Sequence, residues 1–349
     1  MSSGPQPAPY WVETEDWHTA GEPFRIVEHL PPGHLPEGTS VAERRLHVLK
    51  NPSHPLDTLR QTLCHEPRGH ADMYGGFIVP ANDSGAQFGV LFWHKDGFST
   101  ACGHGTMALG YWAVSSGLVK VPRKDCAIDV IVDVPSGRVK ASVTVQNGRP
   151  VHVDFVNVAS RTLTNAFDLS IPSQPSSVQC QLSYGGANLL SVNATQLGIS
   201  VDPSNVSKFI DLARVIKRQL LIDKRIERQD DVAGIIFWQI GGETEKSLEG
   251  ITIHERNVVV YGDGQIDRSP CGSGTSARVA IHHAEGRLLP SHGIFLNQSI
   301  IKTSFEARVL ASEDSSTCIP VVRGRAGLVG RMKFYIDPED PIYPGFLLQ

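Results

Sequence analysis

One seven-residue frame occurs twice in this chain, and it limits the possible folds more than any other feature. "CGHGTMA" begins at Cys102 and "CGSGTSA" at Cys271, so C-G-x-G-T-x-A returns after 169 positions in a chain of 349 residues. The flanks repeat as well. An apolar run, "GVLFW" or "NVVVY", ends about ten residues before each cysteine, and a helical pattern follows each one. Both helical patterns then meet a glycine 15 residues on, at Gly117 and Gly286. A repeat with matching flanks implies two structurally similar halves, each made of a strand, a Cys-Gly turn and a helix.

The rest of the chain is dominated by short apolar runs: "GGFIVP", "AIDVIVDV", "RVKASVTV", "VHVDFVNV", "GIIFWQI", "PVVRGRAGLV" and "MKFYI". They are β-branched and bounded by Gly, Pro, Asn or Asp, which marks them as strands. Helical periodicity is clearest after Cys102, over 205–223 and after Cys271. Strands outnumber helices, so an α+β fold is expected. The Ser/Pro-rich stretch "IPSQPSSVQ" at 171–179 is the best linker candidate. The expected division is a first half-domain, 1–165, carrying Cys102 and completed by 335–349, and a second, 166–334, carrying Cys271.

Charge narrows the partners. With 32 basic and 36 acidic residues the formal net charge is −4, which offers no basic field for nucleic acid and suits a small neutral or zwitterionic substrate. "MSSGPQPAPYW" has no apolar core and reads as a short disordered lead-in to a cytosolic protein, and no later stretch reaches membrane-span length. In that setting six scattered cysteines do not make a disulfide framework, and without a C-x-x-C pair a structural zinc site has little support. Four N-x-S/T triplets, at Asn82, Asn193, Asn205 and Asn297, are expected on surface loops.

Placement suggests chemistry. A cysteine at a helix N-terminus lies at the positive end of the peptide dipoles, which favours the thiolate and makes it a usable base. Glycines beside it bare backbone N–H groups that can hold a carboxylate. If two such turns served one substrate from opposite faces, one thiolate could remove a Cα proton while a thiol delivered another. The competing reading is that cysteines are often buried apolar groups and Gly-x-Gly turns often serve packing. The repetition favours chemistry. Cys64, in "TLCHEPRGH", is the one further cysteine in a notable context.

The stretches "DWHTAGEPFRIV", "EPRGHADMYGGFIVP", "FSTACGHGTMALG", "SYGGA" and "DRSPCGSGTSARVA" resemble those of the proline racemase family, which includes hydroxyproline 2-epimerases and trans-3-hydroxy-L-proline dehydratases. The resemblance runs from about Trp17 to "DPIYPGFLL". It implies a diaminopimelate-epimerase-like α+β fold of two related domains, each with an antiparallel sheet around a central helix. It implies neither metal nor cofactor, and often a homodimer. By motif, the acid/base pair falls on Cys102 and Cys271, the substrate cradle on Gly103, His104, Gly272 and Ser273, and the carboxylate that receives the ring nitrogen on Asp267. Tyr74, in "DMYGG", would wall the pocket.

Each of these residues also has a plainer reading. His104 could cap its own turn, Asp267 could pair with Arg268 or Arg278, and Tyr74 could simply pack. His18, His70, His282 and His283 are expected to serve the fold. The chain departs from the family pattern at Asn188 and Leu189 after "YGGA", and Ser273 stands where many racemases have Thr. Dehydratases of similar layout typically carry Thr in place of the second cysteine, and this chain has Cys271. Since a hydroxyl is a far weaker acid than a thiol, epimerisation is the expected reaction, with dehydration of trans-3-hydroxy-L-proline as the alternative. A non-catalytic binding protein and a Cys102–His104 hydrolase are weaker readings. The second suffers because residues two apart at a helix start hardly align the imidazole with the sulfur.

Overall fold

The computed structural model describes residues 8–122, 124–172, 176–228, 231–241, 251–290, 292–312, 314 and 316–348. The chain divides into two compact units, one of Met1–Thr19, Pro23–Val153 and Arg325–Gln349, the other of Ala20–Glu22 and Asp154–Gly324. Residues 154–165 thus group with the second unit and 325–334 with the first.

The first unit is built from β1 (Tyr10–Thr19), β2 (Glu22–Val27), α1 (Val41–Lys50), α2 (Pro55–Cys64), β3 (Gly75–Val79), β4 (Phe88–His94), β5 (Gly97–Phe98), α3 (Gly103–Ser115), β6 (Cys126–Val134), β7 (Gly137–Gln146) and β8 (Arg149–Val156), whose last residues belong to the second unit. The second continues with β9 (Ser160–Thr162), β10 (Phe167–Leu169), β11 (Val178–Tyr184), β12 (Asn188–Asn193), α4 (Val206–Ile222), β13 (Gly234–Ile240), β14 (Ile251–Tyr261), β15 (Gln265–Asp267), α5 (Gly272–Ala284), β16 (Ile294–Gln298), β17 (Ser304–Ser312) and β18 (Thr317–Gly324). β19 (Ala326–Ile336) returns to the first unit and pairs antiparallel with β1.

Internally the two units share one connectivity. In the first, β2 runs parallel to β3 across the α1–α2 crossover, β3 and β4 are antiparallel, β5 folds back on β4, and β4 runs parallel to β6 across α3. In the second, β12 is parallel to β13 across α4, β13 and β14 are antiparallel, β15 folds back on β14, and β14 is parallel to β16 across α5. The sheets are therefore mixed, which corrects the expectation of antiparallel ones. Each helical crossover returns the chain to the end where it started, and that forces a parallel pair.

α3 and α5 are the central helices of their units. From His104 to Val114 every α3 residue is buried, as a helix apolar on all sides must be. It packs on β1, β6, β7 and β19, and α5 packs on β9, β11, β12, β17 and β18. α4 is amphipathic instead. Phe209, Ala213, Ile216 and Leu220 form one buried stripe against Phe237, Val258 and Val260.

Three expectations change. The 171–179 stretch is not a domain linker: β10 and β11 on either side of it pair directly within the second unit, and its residues 173–175 lie outside the described residues. The expected N-terminal lead-in falls partly outside them too, while its Tyr10 and Trp11 open β1. Asn297 belongs to β16 and is fully buried rather than on a surface loop.

Candidate active site

Each repeated frame starts a helix. Cys102 is the N-cap residue of α3 and Cys271 that of α5. The second glycine of the frame has a steric reason in both. A Cβ on Gly105 would lie 3.0 Å from Cys102 Sγ and 2.5 Å from the Phe24 ring, and one on Gly274 would lie 3.2 Å from Cys271 Sγ. Only glycine lets the sulfur fold back over the first turn of its helix. The threonine that follows ties the turn down. Thr106 Oγ1 donates to Cys102 O at 2.8 Å and Thr275 Oγ1 to Pro270 O at 3.2 Å.

In the first unit Cys102, Gly103, His104 and Tyr74 come together. Cys102 is half-buried, and its sulfur lies 3.5 Å from His104 Nδ1 and 3.7 Å from Nε2. The imidazole therefore does reach its neighbour's sulfur. The near-equal distances set the sulfur between the two nitrogens and in line with neither lone pair. Burial pushes the His104 pKa down to about 4, with only the Pro23 carbonyl opposing, so the ring is a neutral, weak base. The Tyr74 and Phe24 rings meet it edge-on at 5.0 and 5.9 Å, and Thr19 Oγ1 donates to its carbonyl. These contacts hold the ring rigidly beside Cys102.

In the second unit Asp267, Cys271, Gly272 and Ser273 come together. Cys271 takes φ +66°, a left-handed conformation that L residues avoid and that costs about 1–3 kcal/mol. A cluster of buried donors holds it there. Asn257 Nδ2 and Asn297 Nδ2 donate to Pro270 O at 3.1 and 3.3 Å, and Cys271 N donates to Ser269 Oγ at 3.0 Å. Ser269 in turn donates through N and Oγ to Asp267 Oδ1 at 2.9 and 2.7 Å.

The Cys271 side chain packs in an apolar cluster with Leu189, Ile236, Val259 and Ala277. Burial, followed by the nearby Asp267 charge, pushes its thiol well above the usual cysteine range, so the dipole expected to favour a thiolate is outweighed here. The same dry surroundings raise the Asp267 pKa to about 6 against the Ser269 donors. Arg278 does not partner Asp267. It forms a two-pronged pair with Glu255 at 2.6 and 2.8 Å, and His282 Nε2 meets Glu255 at 3.0 Å. His283 is bound between the Leu288 and Asp314 carbonyls.

The two departures after "YGGA" acquire places. Asn188 Nδ2 donates to Asp231 O at 3.1 Å, and Leu189 belongs to the apolar cluster around Cys271. Gly185 lets this turn lie against α5, since a Cβ there would come within 2.5 Å of Ala277 N, and Asn157 Nδ2 clamps the turn by donating to Gly185 O and Ser276 Oγ. Cys64 is buried, its Sγ 3.4 Å from Met73 O and its pKa pushed up to about 12, so it is an inert core residue. Sequence reasoning missed Tyr261, whose hydroxyl lies 3.1 Å from Cys271 Sγ, as well as the Asn257/Asn297 clamp. No local pattern marks these residues, because strand pairing brings them to the turn.

The proline racemase family model matches residues 15–347. The chain belongs to the proline racemase family. It is 32% identical to the proline racemase of Clostridioides difficile, over 97% of this chain and 98% of that one, and 33% identical to the trans-3-hydroxy-L-proline dehydratase of Colwellia psychrerythraea, over 97% and 93%. Among solved structures, the hydroxyproline epimerase from Agrobacterium vitis with bound trans-4-hydroxy-L-proline superposes with a TM-score of 0.79 at 26% identity, covering 97% of this chain and 96% of that one. A probable proline racemase from Agrobacterium radiobacter K84 gives 0.80 at the same identity and coverage. The protein is thus an enzyme of a family of racemases, epimerases and dehydratases. Among its described residues no helix is long and apolar enough to cross a membrane.

Proposed function

We propose that this enzyme inverts Cα of proline or a hydroxyproline without a cofactor, using Cys102 and Cys271 as its acid/base pair. The observation that carries this reading is that both topologically equivalent helices begin with a cysteine, in two different environments. Cys102 is half-buried at the positive end of α3 and acts as the base toward the L-substrate. Cys271 is dry, and burial favours its protonated form, which suits the acid. The Cα proton passes to the Cys102 thiolate, the electron pair left on Cα delocalises into the substrate carboxylate, and the Cys271 S–H proton is delivered to the opposite face. The reverse reaction exchanges the roles. Backbone N–H groups at Gly103, His104, Gly272 and Ser273 suit the carboxylate, Asp267 suits the secondary ammonium, and Tyr74 the apolar ring. The buried α3 and α5 also support a diaminopimelate-epimerase-like wrap in each unit.

The second reading is loss of water from trans-3-hydroxy-L-proline, favoured by the similarity to the Colwellia dehydratase. A thiol at position 271 opposes it, since prompt reprotonation gives a 3-hydroxyl no time to leave. Incubation with L-proline, trans-4-hydroxy-L-proline and trans-3-hydroxy-L-proline in deuterated water separates the two. Inversion with one deuterium at Cα is expected, and C102S and C271S each abolish it. Water loss without inversion, or inversion surviving in C271S, refutes the two-cysteine reading.

A further inference from the structure

Cys271 faces a physical problem that its environment only partly solves. A residue that donates a proton must hold a negative charge afterwards, and Cys271 is 2% exposed among Leu189, Ile236, Val259 and Ala277. Little water is left beside it to stabilise a thiolate. Among the described residues no cation offsets that charge: Arg278, further along α5, is tied to Glu255, and the charged group acting on the thiol, Asp267, is an acid. Among the described residues two donors meet the sulfur. Gly274 N–H lies 3.1 Å away and belongs to the helix turn itself. The other is a side chain ten residues back, at the end of β14, where the strand is about to turn into β15.

We propose that Tyr261 is a positioning residue for the second half of the reaction: its hydroxyl, 3.1 Å from Cys271 Sγ, donates to the sulfur whenever Cys271 has given up its proton. This rests on the reading of Cys271 as an acid/base residue. When Cys271 is a thiol, its S–H can donate to the Asp267 carboxylate, with which it shares a side-chain hydrogen bond. When Cys271 is a thiolate, Tyr261 O–H and Gly274 N–H both donate to it. The titratable groups facing the sulfur are Asp267 from β15 and Tyr261 from β14, with Arg268 beside Asp267. The cluster neighbours from β12 and β13, Leu189, Ile236 and Trp238, do not ionise. Tyr261 is held for this task because its ring packs with the cluster around Cys271, and Gly234 leaves room for it: a Cβ there would lie 3.2 Å from Tyr261 Cδ1.

The direction of the effect follows from the charge. Burial and Asp267 raise the Cys271 pKa, while Tyr261 and Gly274 N–H lower it. Removing the hydroxyl leaves one donor on a dry thiolate.

The test compares the parent with Y261F and V259A. V259A loosens the same cluster without removing a donor. The pH dependence of iodoacetamide modification is followed separately for Cys271 and Cys102 by peptide mass spectrometry, alongside the pH profile of kcat/KM in both directions. In Y261F the apparent pKa of Cys271 is expected to rise by about one unit, with Cys102 unchanged. At neutral pH the direction that needs Cys271 as base should slow about tenfold, a loss regained as pH is raised. V259A, which admits water, should move Cys271 the opposite way. A Cys271 profile in Y261F that overlays the parent's overturns the proposal, as does an equal upward shift in V259A, which would reduce the effect to packing. If the parent shows no inversion, the activity reading fails on its own, and thiol modification still judges the Tyr261–Cys271 bond.

Discussion

Asp267→Asn should stabilise the protein and disable it. The Asp267 carboxyl is 7% exposed, and its pKa is raised from the 3.8 of a solvated aspartate to about 6, chiefly by removal from water. Between about pH 4 and 6 the folded chain keeps this proton while the unfolded chain releases it. Stability therefore falls as pH rises through that window, and above it the penalty is complete. A shift of about two units corresponds to roughly 2–3 kcal/mol at pH 8. Asparagine carries no charge to bury, and its Oδ1 can still accept from Ser269 N and Oγ, which lie 2.9 and 2.7 Å from the present oxygen. Urea unfolding of parent and variant at several pH values gives a difference curve in which the histidines cancel. The variant's advantage should be near zero at pH 4, grow to pH 6 and then stay level, with Tm at pH 8 higher by roughly 4 °C or more. Activity should fall about 10- to 150-fold, the range expected when a charge-assisted bond to the substrate ammonium is lost. A flat difference curve, or a variant less stable than the parent at pH 8, would refute the burial argument.

Gly105→Ala should cost roughly 1–3 kcal/mol in denaturant unfolding, because its methyl would lie 2.5 Å from the Phe24 ring. It should also slow inversion at least about tenfold by displacing Cys102 Sγ, and unchanged kinetics would show that the sulfur position is not critical. In the free enzyme iodoacetamide should modify Cys102 well before Cys64, Cys180 and Cys318, each buried with its pKa pushed up to about 12. Pyrrole-2-carboxylate, planar where proline is tetrahedral, should protect Cys102, and equal rates at all four thiols without protection would count against the site.

Much of this protein is legible in local sequence. The frame at Cys102 and Cys271 announces two helix starts because its glycines and threonine act within one turn, and α4 is visible in its 3.6-residue period. α1 and α2 carry local signals too, outside the three periodic stretches. Ser40 and Glu43 form a capping box, and Pro55 opens α2 at its first position. The single run "PVVRGRAGLV" proves to be the end of β18 and the start of β19, divided at Arg325 and assigned to different units. A hydrophobic pattern records which residues avoid water but not which neighbour they join.

By itself, then, the sequence determined the repeat, the helix starts and the residue types available for proton transfer, since each depends on residues within a turn or two of one another. Tertiary structure alone decided how those residues behave. Leu189 and Ile236, distant in the chain, dry the Cys271 sulfur and reverse the thiolate preference its helix would give it. The β14–β15 pairing brings Tyr261 to that sulfur, and Asn257 and Asn297 arrive from β14 and β16 to hold its left-handed backbone. Solvation and pairing set a proton affinity, and both are properties of the packed environment. The same C-G-x-G-T-x-A frame thus yields a half-buried thiol in one unit and a dry one in the other.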